Sequence, residues 1–156
     1  MEAPLHADLE PLAFLLGTWT GEGVGDYPTI ARFRYSEEMT FTHIGKPFFS
    51  YSQRTWSPDG GAALHSESGF WRAAGPGAIE VVLAHPFGVV EIQEGGLEGR
   101  RISLMSKTLA SASTADQVAA VTRSFEVDGD VLRYTVDMAA ADQPLQRHLE
   151  AELRRA

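Results

Sequence analysis

Glycine and proline punctuate this chain too often and too evenly for long helices. Fifteen Gly and eight Pro are spread over 156 residues. Between them lie short runs rich in β-branched and aromatic residues, the pattern of an all-β protein. Ten runs read as strands, near 18–24, 31–43, 48–56, 64–73, 78–84, 88–94, 97–109, 118–127, 131–140 and 145–154. A helical turn or two fits only around Leu9–Leu16, started by Pro11 and ended by Gly17. Asp128-Gly129, Asp59-Gly60-Gly61 and Gly95-Gly96 read as hairpin turns, Gly75-Pro76-Gly77 as a tight reversal, and Ser111–Gln117 as the one longer loop. Consecutive hairpins without helical crossovers make a meander, which loses its exposed edges only by closing. The expectation is one domain over residues 1–156, with a core of about 10–155, folded as an up-and-down antiparallel β-barrel of about ten strands. A barrel that wide encloses a cavity, expected here to be apolar, so a small ligand is expected inside.

Other readings fall away on composition. Cysteine is absent, which removes disulfides, thiolate metal sites and a cysteine nucleophile. A net charge of −8 argues against nucleic acid. With only Lys46 and Lys107 as lysines there is no polybasic membrane patch. No window approaches eighteen consecutive apolar residues and the first ten residues lack a signal-peptide pattern, so a cytoplasmic protein is expected. Hydrolysis finds no Gly-x-Ser-x-Gly elbow. Glu37 and Glu38 are adjacent, so on a strand they face opposite ways and form no working pair.

The most distinctive segment is Gly17-Thr18-Trp19-Thr20-Gly21-Glu22-Gly23. Gly17, Gly21 and Gly23 suit a sharply coiled first strand, with Trp19 plugging one end of the barrel. This Gly-x-Trp-x-Gly-x-Gly run resembles the signature of the nitrobindins, heme-binding β-barrels distantly like fatty-acid-binding proteins. The likeness continues through Tyr27-Pro28-Thr29-Ile30, Phe41 to Pro47, Leu64 to Arg72, Leu83-Ala84-His85-Pro86, Arg123-Ser124-Phe125, Leu132-Arg133-Tyr134, Met138 and His148 to Leu153. It implies a ten-stranded antiparallel barrel holding heme b at the mouth of its cavity, with His148 as the axial ligand of the iron and Thr29 in contact with the heme. It also implies a peroxynitrite isomerase that forms nitrate and binds nitric oxide, and, by analogy, a possible homodimer. Histidine is the commonest heme ligand, and without cysteine only Tyr and Met compete with it.

Strict alternation opposes His148. Over Leu145–Leu153 it sets Leu149, Ala151 and Leu153 on one face and His148 with Gln146, Glu150 and Glu152 on the other. Either a bulge near Pro144 flips the register, or the heme sits at the rim. By that likeness Asp116 stands where some relatives carry a basic residue suited to a heme propionate, which an aspartate would repel. By the same likeness His65 and Met138 are candidates for the distal pocket. His43 reads as a turn-proximal strand residue, His85 as a loop residue, and His6 as part of a frayed end. Met39 and Met105 read as core or pocket packing, and the charged run at Glu150, Glu152, Arg154 and Arg155 as a solvated strand end. No His-x-x-x-His or carboxylate cluster suggests a non-heme metal site. The competing function is a heme-free carrier of a small hydrophobic or lipid ligand, with Arg123 or Arg133 taking an anionic head. An interaction domain would rest on exposed Phe48, Phe49 and Tyr51.

Overall fold

The computed structural model describes residues 2–156. Ten antiparallel strands run in chain order: β1 (Gly17–Tyr27), β2 (Ile30–Thr42), β3 (Phe48–Trp56), β4 (Ala63–Ala73), β5 (Ala78–His85), β6 (Val89–Glu98), β7 (Arg101–Ser111), β8 (Val118–Asp128), β9 (Val131–Ala140) and β10 (Gln146–Arg155). Each pairs with its neighbours in sequence, and β1 pairs with β10 to close the barrel. The expected architecture stands.

One hairpin is placed differently from the sequence reading. Gly95 and Gly96 lie inside β6, and the chain turns at Gly99, whose φ is 62°. Gly95 is instead a point of close approach, where a Cβ would overlap the Ser103 carbonyl across the ladder.

A 3-10 helix, Ala7–Leu15, precedes β1. Its buried residues, Leu9, Leu12 and Leu15, recur every third position, the spacing that a three-residue turn stacks on one face. It begins earlier than Pro11, because the His6 Nδ1 accepts from the Asp8 N–H and caps the start. His6 is therefore a cap rather than a frayed residue.

This helix covers one end of the barrel. Trp19 is fully buried there and its indole N–H donates to the Leu15 carbonyl at 2.9 Å. Arg155 lies 4.2 Å from the Trp19 ring centroid and donates to the carbonyls of Leu16 and Phe14. The last arginine of the charged run is thus a clasp, not a solvated end. Phe41, Phe49, Tyr51, Trp71 and Phe125 pack beneath, with Trp71 and Phe125 edge-to-face at 5.1 Å. Such pairs add about 0.5–1.5 kcal/mol each beyond area burial. Phe49 and Tyr51 are core residues, which removes the exposed-aromatic case for an interaction domain, and Met105 is 63% exposed rather than packed.

The opposite end is open. It gathers the Pro28-Thr29 turn, the β3–β4 loop, the turn after His85, the β7–β8 loop and the β9–β10 turn. No helix among the described residues is long and apolar enough to cross a membrane.

Candidate functional site

His148 sits at the open end because of a defect in pairing. Arg147 pairs with Asp137 and Leu149 with Val136, so His148 is an extra residue in β10. A bulge of this kind re-aims a side chain that alternation would send outward. It lies at His148 itself, four residues beyond Pro144. A second irregularity, between Gly25 and Tyr27 in β1, offers the Asp26 carbonyl to the same ring.

The His148 Nδ1 lies 3.0 Å from that carbonyl oxygen. A carbonyl only accepts, so Nδ1 carries the proton and Nε2 carries the lone pair. Nε2 has no hydrogen-bond partner among the described residues. The ring stands edge-on to buried Tyr27 at 5.4 Å. Tyr27 is itself fixed, since its hydroxyl accepts from the Ala140 N–H at 2.8 Å and lies within donating distance of the Met138 and Ala140 carbonyls. Partial burial, and the neighbouring His65, hold the His148 pKa below its usual value against the opposing pull of the Asp26 carbonyl. A neutral, oriented imidazole with a free Nε2 is what a metal-ligating histidine requires.

The other expected site residues gather at the same end. Thr29 is exposed in the two-residue turn that joins β1 to β2, and Met138 is half-buried near the end of β9. Asp116 is exposed in the β7–β8 loop. Ile30, Leu64, Phe87 and Leu145, on elements of this end, are 47–50% exposed. Of these, Leu64 and Phe87 line one hollow with His65, an apolar surface suited to a flat hydrophobic ligand.

Beneath the mouth, the interior is not the apolar cavity expected. Glu37, Gln53, Glu67, Glu91 and Gln93 are buried, and Arg123 reaches in among them. Arg123 donates to both carboxylates, at 3.2 Å to Glu67 Oε1 and by a short bond to Glu91 Oε1. Tyr51 donates to Glu67 at 2.7 Å. Tyr134 donates to Glu37 at 2.7 Å and bonds the Tyr35 hydroxyl at 2.8 Å. Gly23 makes room for this pair, because a Cβ there would overlap the Tyr35 ring.

Burial alone would push all three carboxyls up. Arg123, with hydrogen bonds from the residues around it, outweighs burial for Glu67, held well below the usual range, and for Glu91, held at about 2. Glu37, farther from that charge, is lifted by burial to about 7. Gln53 Oε1, Gln93 Oε1 and Arg123 Nε have no hydrogen-bond partner among the described residues.

Two sequence readings are corrected here. Buried carboxylates do cluster, and His85 is not a loop residue. It ends β5, its side chain is 8% exposed, and it stacks on His65 with ring centroids 5.4 Å apart. Inward parity was the signal for this cluster. Glu37 alternates with Tyr35 and Met39, Glu67 with Trp71 two steps on, and Arg123 with Val121 and Phe125.

The cluster also removes the anchors of the carrier reading. The two terminal nitrogens of Arg123 are taken by Glu67 and Glu91, and Arg133 lies outside, paired with Glu152 at 3.0 Å.

Comparison with known proteins identifies the family. The family model for the THAP4-like, heme-binding beta-barrel domain matches residues 8–155. Peroxynitrite isomerase 2 of Mycobacterium avium is 50% identical, covering 99% of each chain. The peroxynitrite isomerase of Nocardia farcinica is 48% identical over 97% of this chain and 92% of its own. The crystal structure of Rv2717c from M. tuberculosis superposes with a TM-score of 0.93 at 45% identity, covering 98% of this chain and 99% of that one.

Proposed function

The chain belongs to the THAP4-like heme-binding β-barrel family, and from that premise we propose that it carries heme b at the open end of the barrel, ligated by His148, and isomerises peroxynitrite to nitrate there. Nitric oxide would bind at the same place. The observation that carries the reading is the bulge that turns the His148 ring onto the Asp26 carbonyl and leaves Nε2 free. When bound, heme supplies the iron at which peroxynitrite rearranges.

The chain's own residues position and enclose. Asp26 fixes the imidazole tautomer, and Tyr27 limits its rotation. Ile30, Leu64, Phe87 and Leu145 would cover apolar porphyrin surface and exclude water. Thr29 would touch the heme edge from the β1–β2 turn, and His65 and Met138 would line the distal pocket. Isomerisation to nitrate involves no net proton transfer, so no general acid or base is needed. Asp116 would oppose a propionate, which places most of the affinity on His148 and the apolar contacts rather than on exposed charge pairs.

Titration with hemin tests this. The wild type should give a stoichiometric Soret band and accelerate peroxynitrite decay to nitrate in stopped flow. His148→Ala should lose tight binding and isomerisation together while circular dichroism stays that of a β-barrel. Unchanged hemin affinity in His148→Ala would assign the iron to another residue.

A further inference from the structure

We propose that His65, Glu67 and His85 form a second metal site, for one divalent first-row transition ion of the zinc class. Their donor atoms make a tight triangle: His65 Nε2 to His85 Nδ1 is 3.3 Å, His85 Nδ1 to Glu67 Oε2 is 3.4 Å, and His65 Nε2 to Glu67 Oε2 is 3.7 Å. A tetrahedral ion about 2.0–2.1 Å from each nitrogen and oxygen ligand has ligand–ligand edges of about 3.3–3.4 Å. The triangle needs to close by only a few tenths of an ångström to take that ion.

Register builds it. His65 and Glu67 are two apart on β4 and face the same way, and the pairing of Ser68 with Ala84 brings the end of β5 alongside.

The surrounding residues orient two of the three donors, His85 and Glu67. His85 Nε2 lies 3.0 Å from Glu91 Oε1. A carboxylate oxygen only accepts, so Nε2 is the nitrogen that donates to Glu91, and in the neutral ring the lone pair is left on Nδ1, which faces the triangle. A carboxylate bonded behind a metal-ligating imidazole is the usual orienting device. Glu91 is held in turn by Arg123 and by Gln93 at 2.9 Å. Glu67 spends Oε1 on Tyr51 and Arg123, leaving Oε2 with a long 3.4 Å contact from Arg123 and facing the two imidazoles.

Charge points the same way. Glu67 and Glu91 carry two negative charges against the one positive charge of Arg123. With both imidazoles neutral this leaves one buried negative charge that a bound cation would offset, and three donors without sulfur suit zinc, cobalt or ferrous iron. Three protein ligands leave a fourth position free. His65, whose side chain is 29% exposed beside buried Glu67 and His85, is the ligand nearest solvent. None of this depends on His148, which belongs to no part of the triangle.

The test uses protein as purified, dialysed against chelator, which leaves heme in place, and titrated with Co2+ or Zn2+. One ion per chain is expected by calorimetry, and Co2+ should add the visible ligand-field bands of a four-coordinate site. His65→Ala changes a rim residue that the fold does not need, and it should abolish the stoichiometric step. His148→Ala should keep it. Glu91→Gln, which retains all three ligands, should weaken it about 10–100-fold. The proposal is overturned if the wild type takes up no more of either ion than His65→Ala does, or if His148→Ala loses the step.

Discussion

Glu37→Gln should make this protein more stable at neutral and alkaline pH, although it removes a charged residue. Glu37 is 1% exposed, and burial raises its pKa from an ordinary 4.5 to about 7. A carboxyl whose pKa is raised on folding contributes stability that is fully present below pH 4.5. That contribution is lost as pH rises through about 7, because ionisation favours the unfolded chain. The displacement is worth about 3 kcal/mol, at 1.36 kcal/mol per pH unit. Glutamine has the shape of the neutral acid. It can accept from Tyr134 and, once the Gln53 amide that now donates Nε2–H to Glu37 turns over, donate an N–H to Gln53 Oε1. Urea unfolding of wild type and variant, in the same ligation state, should give similar stabilities near pH 4.5. By pH 8 the variant should lead by about 3 kcal/mol, or roughly 6–12 °C in melting temperature for a domain of this size. Subtracting the two curves cancels every other titrating group. A difference that does not change between pH 4.5 and 8 would show that Glu37 is not held neutral by burial.

Three further outcomes are expected. Gly23→Ala should destabilise by about 1–3 kcal/mol, because its methyl displaces the Tyr35 ring and breaks the bond to Tyr134, read by chemical unfolding. Arg123→Met should cost about 3–5 kcal/mol at pH 7 by leaving Glu67 and Glu91 buried without a counter-charge. Acid should soften that loss as both carboxyls protonate. Heme affinity should fall on acidification only below the usual histidine range, since His148 must be neutral to ligate and its pKa is already lowered; Soret titrations across pH 4–8 measure this.

The strands, their closure and the plugged end were legible because glycine, proline and alternation act locally. Trp19 is buried at the closed end as its size suggested, and the conflict between His148 and strict alternation resolved into a bulge at that residue. The interior was harder to read. Glu37, Glu67 and Glu91 stand on three strands, and each alone resembles a polar residue in an alternating run. Only the closed register brings them onto Arg123. His85 was misread because Pro86 looks like the end of a strand when it only ends the pairing, one residue after the side chain has turned inward. Parity within each strand would have exposed all of these as inward polar groups, which a core tolerates only in partnership.

The central claim is that His148 Nε2 holds the heme iron. Its most direct measurement is His148→Gly reconstituted with hemin, with and without added imidazole, followed by absorption and resonance Raman spectroscopy. Glycine opens a space of imidazole size beside Tyr27 and Asp26. The account predicts that the iron–histidine signature and tight heme retention disappear in the variant and that free imidazole restores both. A His148→Gly protein whose Soret band and heme retention match the wild type without imidazole would contradict it.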